Sequence, residues 1–184
     1  MALVGSGTVE IGKKAIDFTF DTPFEQGLRL SDEVKKAART YLVFLRYYGC
    51  TLCQLDMRDY ADAYEQFKAK NAQLLIVLQS DPAAIREQIA PDHFPYTIIC
   101  DPEQKIYATY EVKAAKSKLG LASLALPGKM KRAKAMGVEH GAYEGNELQL
   151  PAVFLLGSEM NVLYSHRAKN VTDMPSIETM LGKL

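Results

Sequence analysis

The chain has 184 residues, 48% hydrophobic and 24% charged, which excludes a disordered chain and is enough to bury a core without disulfide staples. Lys plus Arg equals Asp plus Glu at 22 each. A net charge of zero gives no footprint for nucleic acid or an anionic membrane, and it leaves self-association easy, so a homodimer is possible.

Residues 1–7 carry neither a basic segment nor a long apolar one, so no secretory signal is expected. The densest apolar run, 74–78, is too short to span a bilayer. A cytoplasmic protein without membrane contact is the expectation. Residues 15–20 alternate like a strand, Asp21, Pro23 and Gly27 make turns, and 28–30 can pair back as a second short strand. Ser31 is predicted to cap a helix through Ala38. Residues 41–45 form a dense apolar run, read as a strand buried on both faces. The next segment, 50–70, is predicted helical, with Leu52, Leu55, Tyr60, Tyr64 and Phe67 mostly on one face.

Residues 73–78 are a second buried strand, Asp81 and Pro82 start a helix, 96–99 are a third strand, and 104–110 are a short helix. This alternation implies parallel strands joined by right-handed crossovers. Strands at 152–156 and 162–165 then form an antiparallel hairpin, and 176–184 is a closing helix. Residues 113–149 fit this pattern less well. They hold Lys113, Lys116, Lys118, Lys129, Lys131, Arg132 and Lys134, read as a solvated face, with two or three possible helices. They read as a helical insertion before the hairpin of one domain spanning 1–184. Their apolar stretch, 119–126, can pack on the core or on a second subunit.

Three cysteines, Cys50, Cys53 and Cys100, are too few and too odd in number for a secreted disulfide scaffold. Cys50 and Cys53 fall where a buried strand gives way to an amphipathic helix. There the unpaired N–H groups and the positive end of the helix dipole favour thiolate over thiol. Their spacing makes a short disulfide feasible, which requires both sulfurs to be close together and within reach of solvent. Packing as small apolar residues and zinc binding are the other uses of such a pair. Gly49 opens the backbone against the first, and His93, His140 and His166 lack ligand spacing for the second. Tyr47 and Tyr48 flank the pair and either shape access or simply pack. Pro151, just before a buried strand, removes a donor and often marks a cis bond. Cys100 ends a strand on the same side of the sheet, where packing is the simpler role and distal resolution the other.

With Arg46-Tyr47-Tyr48-Gly49-Cys50-Thr51-Leu52-Cys53 and Leu150-Pro151-Ala152-Val153-Phe154 in this order, the chain resembles the alkyl hydroperoxide reductase/thiol-specific antioxidant family. This is the peroxiredoxin-like branch of the thioredoxin fold. The resemblance implies a central mixed sheet flanked by helices. It places the peroxidatic cysteine on Cys53, with acidic Asp56 three positions later and Cys50 able to resolve the sulfenic acid as a disulfide. Arg46 stands where the family has proline, Cys50 where it has threonine, and Pro151 where it has arginine. The last two resemble thioredoxin itself, whose proline faces the cysteines and leaves a backbone edge free for substrate. On that reading Cys50 attacks and Cys53 resolves, and Arg46 can replace the missing guanidinium. Gly49, Thr51 and Tyr48 complete the expected site.

The resemblance implies reduction of a hydroperoxide, or of a protein disulfide, and recharging by a thiol reductant such as a thioredoxin-type protein. It implies no metal or organic cofactor. A redox-sensing or binding protein that uses the fold without turnover is the rival from another class.

Overall fold

A computed structural model describes residues 3–4 and 9–184, so most of the N-terminal stretch read for a secretory signal lies outside the described residues. Strands β1 (Leu3–Val4), β2 (Asp17–Phe20) and β3 (Leu28–Arg29) form a small antiparallel sheet. Helix α1 (Leu30–Glu33) and a 3-10 turn (Val34–Lys36) lead to β4 (Arg39–Phe44). Helices α2 (Thr51–Asp62) and α3 (Tyr64–Ala69) follow, then β5 (Ala72–Leu78), α4 (Pro82–Arg86), β6 (Thr97–Cys100) and α5 (Lys105–Thr109). A 3-10 turn (Lys118–Leu121) and α6 (Leu126–Ala135) precede β7 (Ala152–Gly157), β8 (Val162–Arg167) and α7 (Ile177–Leu181).

The main sheet has the order β6-β5-β4-β7-β8, with β4, β5 and β6 parallel and β7 antiparallel to both its neighbours. This is the expected mixed sheet flanked by helices. Side chains alternate across a strand, so Tyr41, Val43 and Leu45 join one core cluster, with Met57, Phe67 and Met180 of the helices. Leu42 and Phe44 join the other, with Phe18 and Phe20 of β2 and Ile106 and Tyr107 of α5. Each fully buried large apolar side chain contributes about 1.5–3 kcal/mol. Among the described residues, no helix is long and apolar enough to cross a membrane.

Several local expectations are corrected. Ser31 does not cap α1. Its N–H donates to the Asp17 carboxylate at 3.0 Å, so a side chain from β2 does the capping, and the helix gives way to the 3-10 turn three residues later. The predicted 50–70 helix is two helices, interrupted at Ala63. Leu55 leaves the shared apolar face and packs on Ala133 and Val138 instead. The basic residues of 113–149 are not all a solvated face. Lys129 pairs with Asp56 at 2.7 Å and Arg132 with Asp59, fastening α6 to α2. Leu121 and Leu126 pack on the core, while Leu119 and Leu124 stand 87% and 103% exposed.

Candidate active site

The site starts from the register of the central strands. Phe44 lies opposite Val77 on β5 and Ala152 on β7, so the chain leaving β4 runs beside Pro151. The Leu45 N–H donates to the Val77 carbonyl (3.0 Å), and the Gln79 N–H to the Arg46 carbonyl (2.8 Å). The buried Tyr107 hydroxyl reaches the Leu45 and Val77 carbonyls, at 2.5 and 2.8 Å. The strand end that delivers residues 46–50 is therefore held from three sides.

Cys50 is the N-cap of α2, with extended backbone (φ −70°, ψ 122°). Its sulfur accepts from the Cys53 N–H at 3.3 Å, the role usually taken by a serine or aspartate oxygen. A negative charge there is stabilised by the dipole of the helix. The Arg46 guanidinium donates to the same sulfur at 3.0 Å, and the Cys53 thiol donates to it as well. Burial is the largest influence on Cys50 and opposes ionisation. The Cys53 thiol and the Arg46 charge outweigh it and bring the thiol from 9.0 down to about 6. Cys53 goes the other way: burial and the Cys50 sulfur push it well up, although Arg46 and its N–H, 3.4 Å from the Cys53 sulfur, pull down. One thiolate and one thiol share the opening turn of a helix, and all three cysteines are free.

The expectation that both sulfurs reach solvent is corrected. Cys50 is 0% and Cys53 4% exposed. Residues 139–147 lie as a strap over the loop that leads into Cys50. The Gly141 N–H donates to the Gly49 carbonyl (2.8 Å), Gln54 to the Glu139 carbonyl (3.0 Å), and Arg46 to the Glu147 carbonyl (2.9 Å). Ser80 donates to Glu144 (2.6 Å), the Asn146 N–H to Gln79 (2.7 Å), and Tyr47 meets His140 at 3.1 Å. Gly49 lies so close that a Cβ there would overlap the backbone of Gly141 and Ala142. Gly49→Ala should therefore displace the strap and cost about 1–3 kcal/mol, as overpacking does. Urea unfolding measures the cost. An unchanged midpoint would mean that the strap sits loosely on the loop.

Pro151 and Asp56 line one small cavity with Arg46 and Cys53, so four of the expected site residues meet there. The peptide before Pro151 is not cis. Nor is the neighbouring backbone edge free for a substrate. Leu150 N–H donates to the Lys113 carbonyl, Ala115 N–H to that of Leu148, and Ala168 N–H to that of Pro151. Thr51 opens α2 and, with Arg46, Leu52, Leu121, Leu126 and His140, lines a groove of about 310 Å³. The Tyr48 N–H goes to Ser80 (2.8 Å), and its ring packs against the core. It is Tyr47 whose ring lies beside the Arg46 guanidinium, at 5.6 Å. Cys100 sits on β6, two strands from β4. It is 3% exposed, and burial pushes its thiol up to about 12, so packing accounts for it. Sequence reasoning missed Tyr107, Gln79, Ser80, Lys129, Glu144 and Glu147, and passed over His140 except as a zinc ligand. Each acts on a partner 30 to 101 residues away, and nothing local marks it. Among the described residues, no group of three or more His, Cys, Asp or Glu could hold a metal ion.

Residues 11–165 match the family model for the AhpC/TSA family. No curated protein sequence matches. Among solved structures, a peroxidoxin BcpB from Mycobacterium tuberculosis is 14% identical, with 94% of each chain covered and a TM-score of 0.67. The reduced 2-Cys peroxiredoxin of Plasmodium vivax is 16% identical, covering 93% of this chain and 78% of that one, with a TM-score of 0.65. A putative thiol:disulfide interchange protein DsbE from Chlorobium tepidum is 20% identical, covering 95% and 97%, with a TM-score of 0.59. At these identities the likeness is one of fold: all three share the thioredoxin fold with this chain.

Proposed function

Since the chain belongs to the AhpC/TSA family of thiol-dependent oxidoreductases, we propose that it reduces hydroperoxides with Cys50 as attacking thiolate and Cys53 as resolving thiol. The observation that carries this is the 3.0 Å contact from the Arg46 guanidinium to the Cys50 sulfur at the N-cap of α2. It makes Cys50, not Cys53, the ready nucleophile at neutral pH. This reverses the roles that the peroxiredoxin resemblance places on the two residues and agrees with the thioredoxin-like alternative.

The chemistry balances in two steps. The Cys50 thiolate attacks the distal peroxide oxygen and breaks the O–O bond. Cys50 becomes a sulfenic acid, and the leaving alkoxide or hydroxide takes a proton. Arg46 is placed to stabilise the charge that develops on that oxygen. Cys53 then attacks the sulfenic sulfur, forms the disulfide and releases water. Two thiols of an external reductant, a thioredoxin-type protein for instance, restore the pair. The single-domain organisation, a homodimer and a cytoplasmic location belong to the same reading.

A hydroperoxide fits the burial of the pair better than a protein disulfide does. A small oxidant needs only a small opening beside the strap, whereas a protein disulfide needs the strap lifted off the loop that leads into Cys50. The disulfide-reductase reading keeps two observations in its favour, the Cys50/Cys53 spacing at a helix start and the Arg46 contact that favours Cys50 as the attacking sulfur. Side-by-side rates with hydrogen peroxide, an organic hydroperoxide and an oxidised protein separate the two. Faster turnover of either peroxide supports the proposal. Faster turnover of the protein disulfide overturns it.

A further inference from the structure

We infer that residues 116–134 dock this protein on the surface of an anionic lipid bilayer. Leu119 and Leu124 enter the apolar edge of the bilayer, and the lysines around them face its headgroups. The net charge of zero conceals a segregation of charge. Residues 112–138 hold seven of the chain's 22 Lys and Arg and none of its 22 Asp and Glu. Such an asymmetry is the mark of a surface made for an anionic partner. Lys129 and Arg132 are taken up by Asp56 and Asp59. Lys116, Lys118, Lys131 and Lys134 are exposed, and among the described residues no carboxylate lies within ion-pair distance of them.

The same segment presents apolar side chains from an anchored base. Leu119 and Leu124 are 87% and 103% exposed, while Leu121 and Leu126, each two residues further on, pack on the core. The Val171 N–H donates to the Leu121 carbonyl at 3.4 Å, and the Ser123 and Thr172 hydroxyls meet at 2.5 Å. With the two ion pairs of α6, these contacts hold the leucines outward. On α6 the helical period puts Met130, Lys134, Pro127 and Lys131 in succession around one arc, opposite the face of Lys129 and Arg132. Met130 is 43% exposed, so apolar and cationic groups are interleaved there as well.

The leucines decide which anionic partner fits. A nucleic acid takes a leucine only by unstacking its bases. A second copy, related by a two-fold axis, would set the same unpaired lysines against each other. An acidic protein needs a fitted pocket for each protruding side chain. A bilayer interface needs none: it admits apolar tips, and its anionic headgroups answer the lysines. Long lysine stems keep their ammonium groups at headgroup level while the leucines go deeper. The segment also supplies Leu121, Leu126 and Met130 to the groove that reaches Arg46, so docking brings that groove to the lipid. The inference concerns binding alone and does not depend on what the cysteines reduce.

Sedimentation with phosphatidylcholine vesicles, with and without phosphatidylglycerol, tests this directly. The full chain should sediment with the anionic vesicles, stay in solution with the neutral ones, and be released by high salt. The chain has no tryptophan, so Leu124→Trp supplies a single reporter, whose emission should shift to the blue on the anionic vesicles. Leu119→Ser with Leu124→Ser should weaken binding about tenfold. Lys131→Gln with Lys134→Gln should weaken it about tenfold or more. All four side chains are exposed, so Tm should not move in either double variant. Failure to sediment with anionic vesicles, an unshifted emission, or binding indifferent to the leucines overturns the proposal. So does self-association that the leucine variant abolishes without any vesicle binding, which would give the surface to a second copy. Capture of polyglutamate or DNA in place of vesicles overturns it as well.

Discussion

Replacing Cys50 with serine is expected to stop consumption of hydroperoxide altogether, while Cys53→Ser still consumes one equivalent and accumulates a sulfenic acid on Cys50. The asymmetry follows from the different electrostatics of the two sulfurs. Cys50 receives the Arg46 guanidinium, the Cys53 thiol and the Cys53 N–H, three donors that favour its thiolate. Cys53 receives the Arg46 N–H and faces a sulfur that is itself negative. A serine hydroxyl at position 50 would keep the helix cap but would not ionise near neutral pH, so the fold survives and the first step does not. In Cys53→Ser the nucleophile is intact and only its partner in closure is gone. Peroxide consumption per chain, read with a sulfenic-acid trap and mass measurement, separates the two variants. The reverse pattern, with Cys53→Ser inert and Cys50→Ser forming the sulfenic acid, would restore the roles implied by the peroxiredoxin resemblance.

What was legible in the sequence is what the local pattern determines. The runs at 41–45, 74–78 and 152–156 are apolar on every position, and each became a strand of the main sheet, buried on both faces. The pairing of cysteines with the end of one strand and the start of a helix came from the same reading, and Cys50 is the cap of that helix. What was not legible depends on partners far along the chain. Ser31 looked like a cap, but the Asp17 carboxylate, 14 residues earlier, takes that place. Lys129 and Arg132 looked solvated because nothing near them in sequence is acidic, yet their partners Asp56 and Asp59 wait on another helix, 73 residues away. The strap reads as a polar loop with two glycines, and only the folded chain brings Gly141 against Gly49. A cover laid over the loop before α2 by such a segment leaves no periodicity to find.

Arg46→Met carries the second large effect, and its pH profile says how much of the arginine's work is ionisation. With Cys50 at about 6, roughly nine-tenths of it is thiolate at pH 7; at an ordinary 9.0 the fraction is about 1%. The Cys53 thiol and N–H remain in the variant, so the loss is partial, and a more basic thiolate is intrinsically a better nucleophile, which returns part of the rate. The net expectation at pH 7 is a fall of about tenfold in the second-order rate with hydroperoxide. The sign is fixed: removing a cation raises the Cys50 pKa, so the rising limb moves up from about 6. At a pH where both thiols are fully ionised, the ionisation difference disappears. Any deficit that persists there measures stabilisation of the leaving oxygen. Arg46 also holds the strap through the Glu147 carbonyl, so its loss loosens the cover and acts in the opposite direction, towards faster access. A limb that stays where it was, read by thiolate absorbance across the pH range, would remove the guanidinium from the activation of Cys50, whatever the rate does.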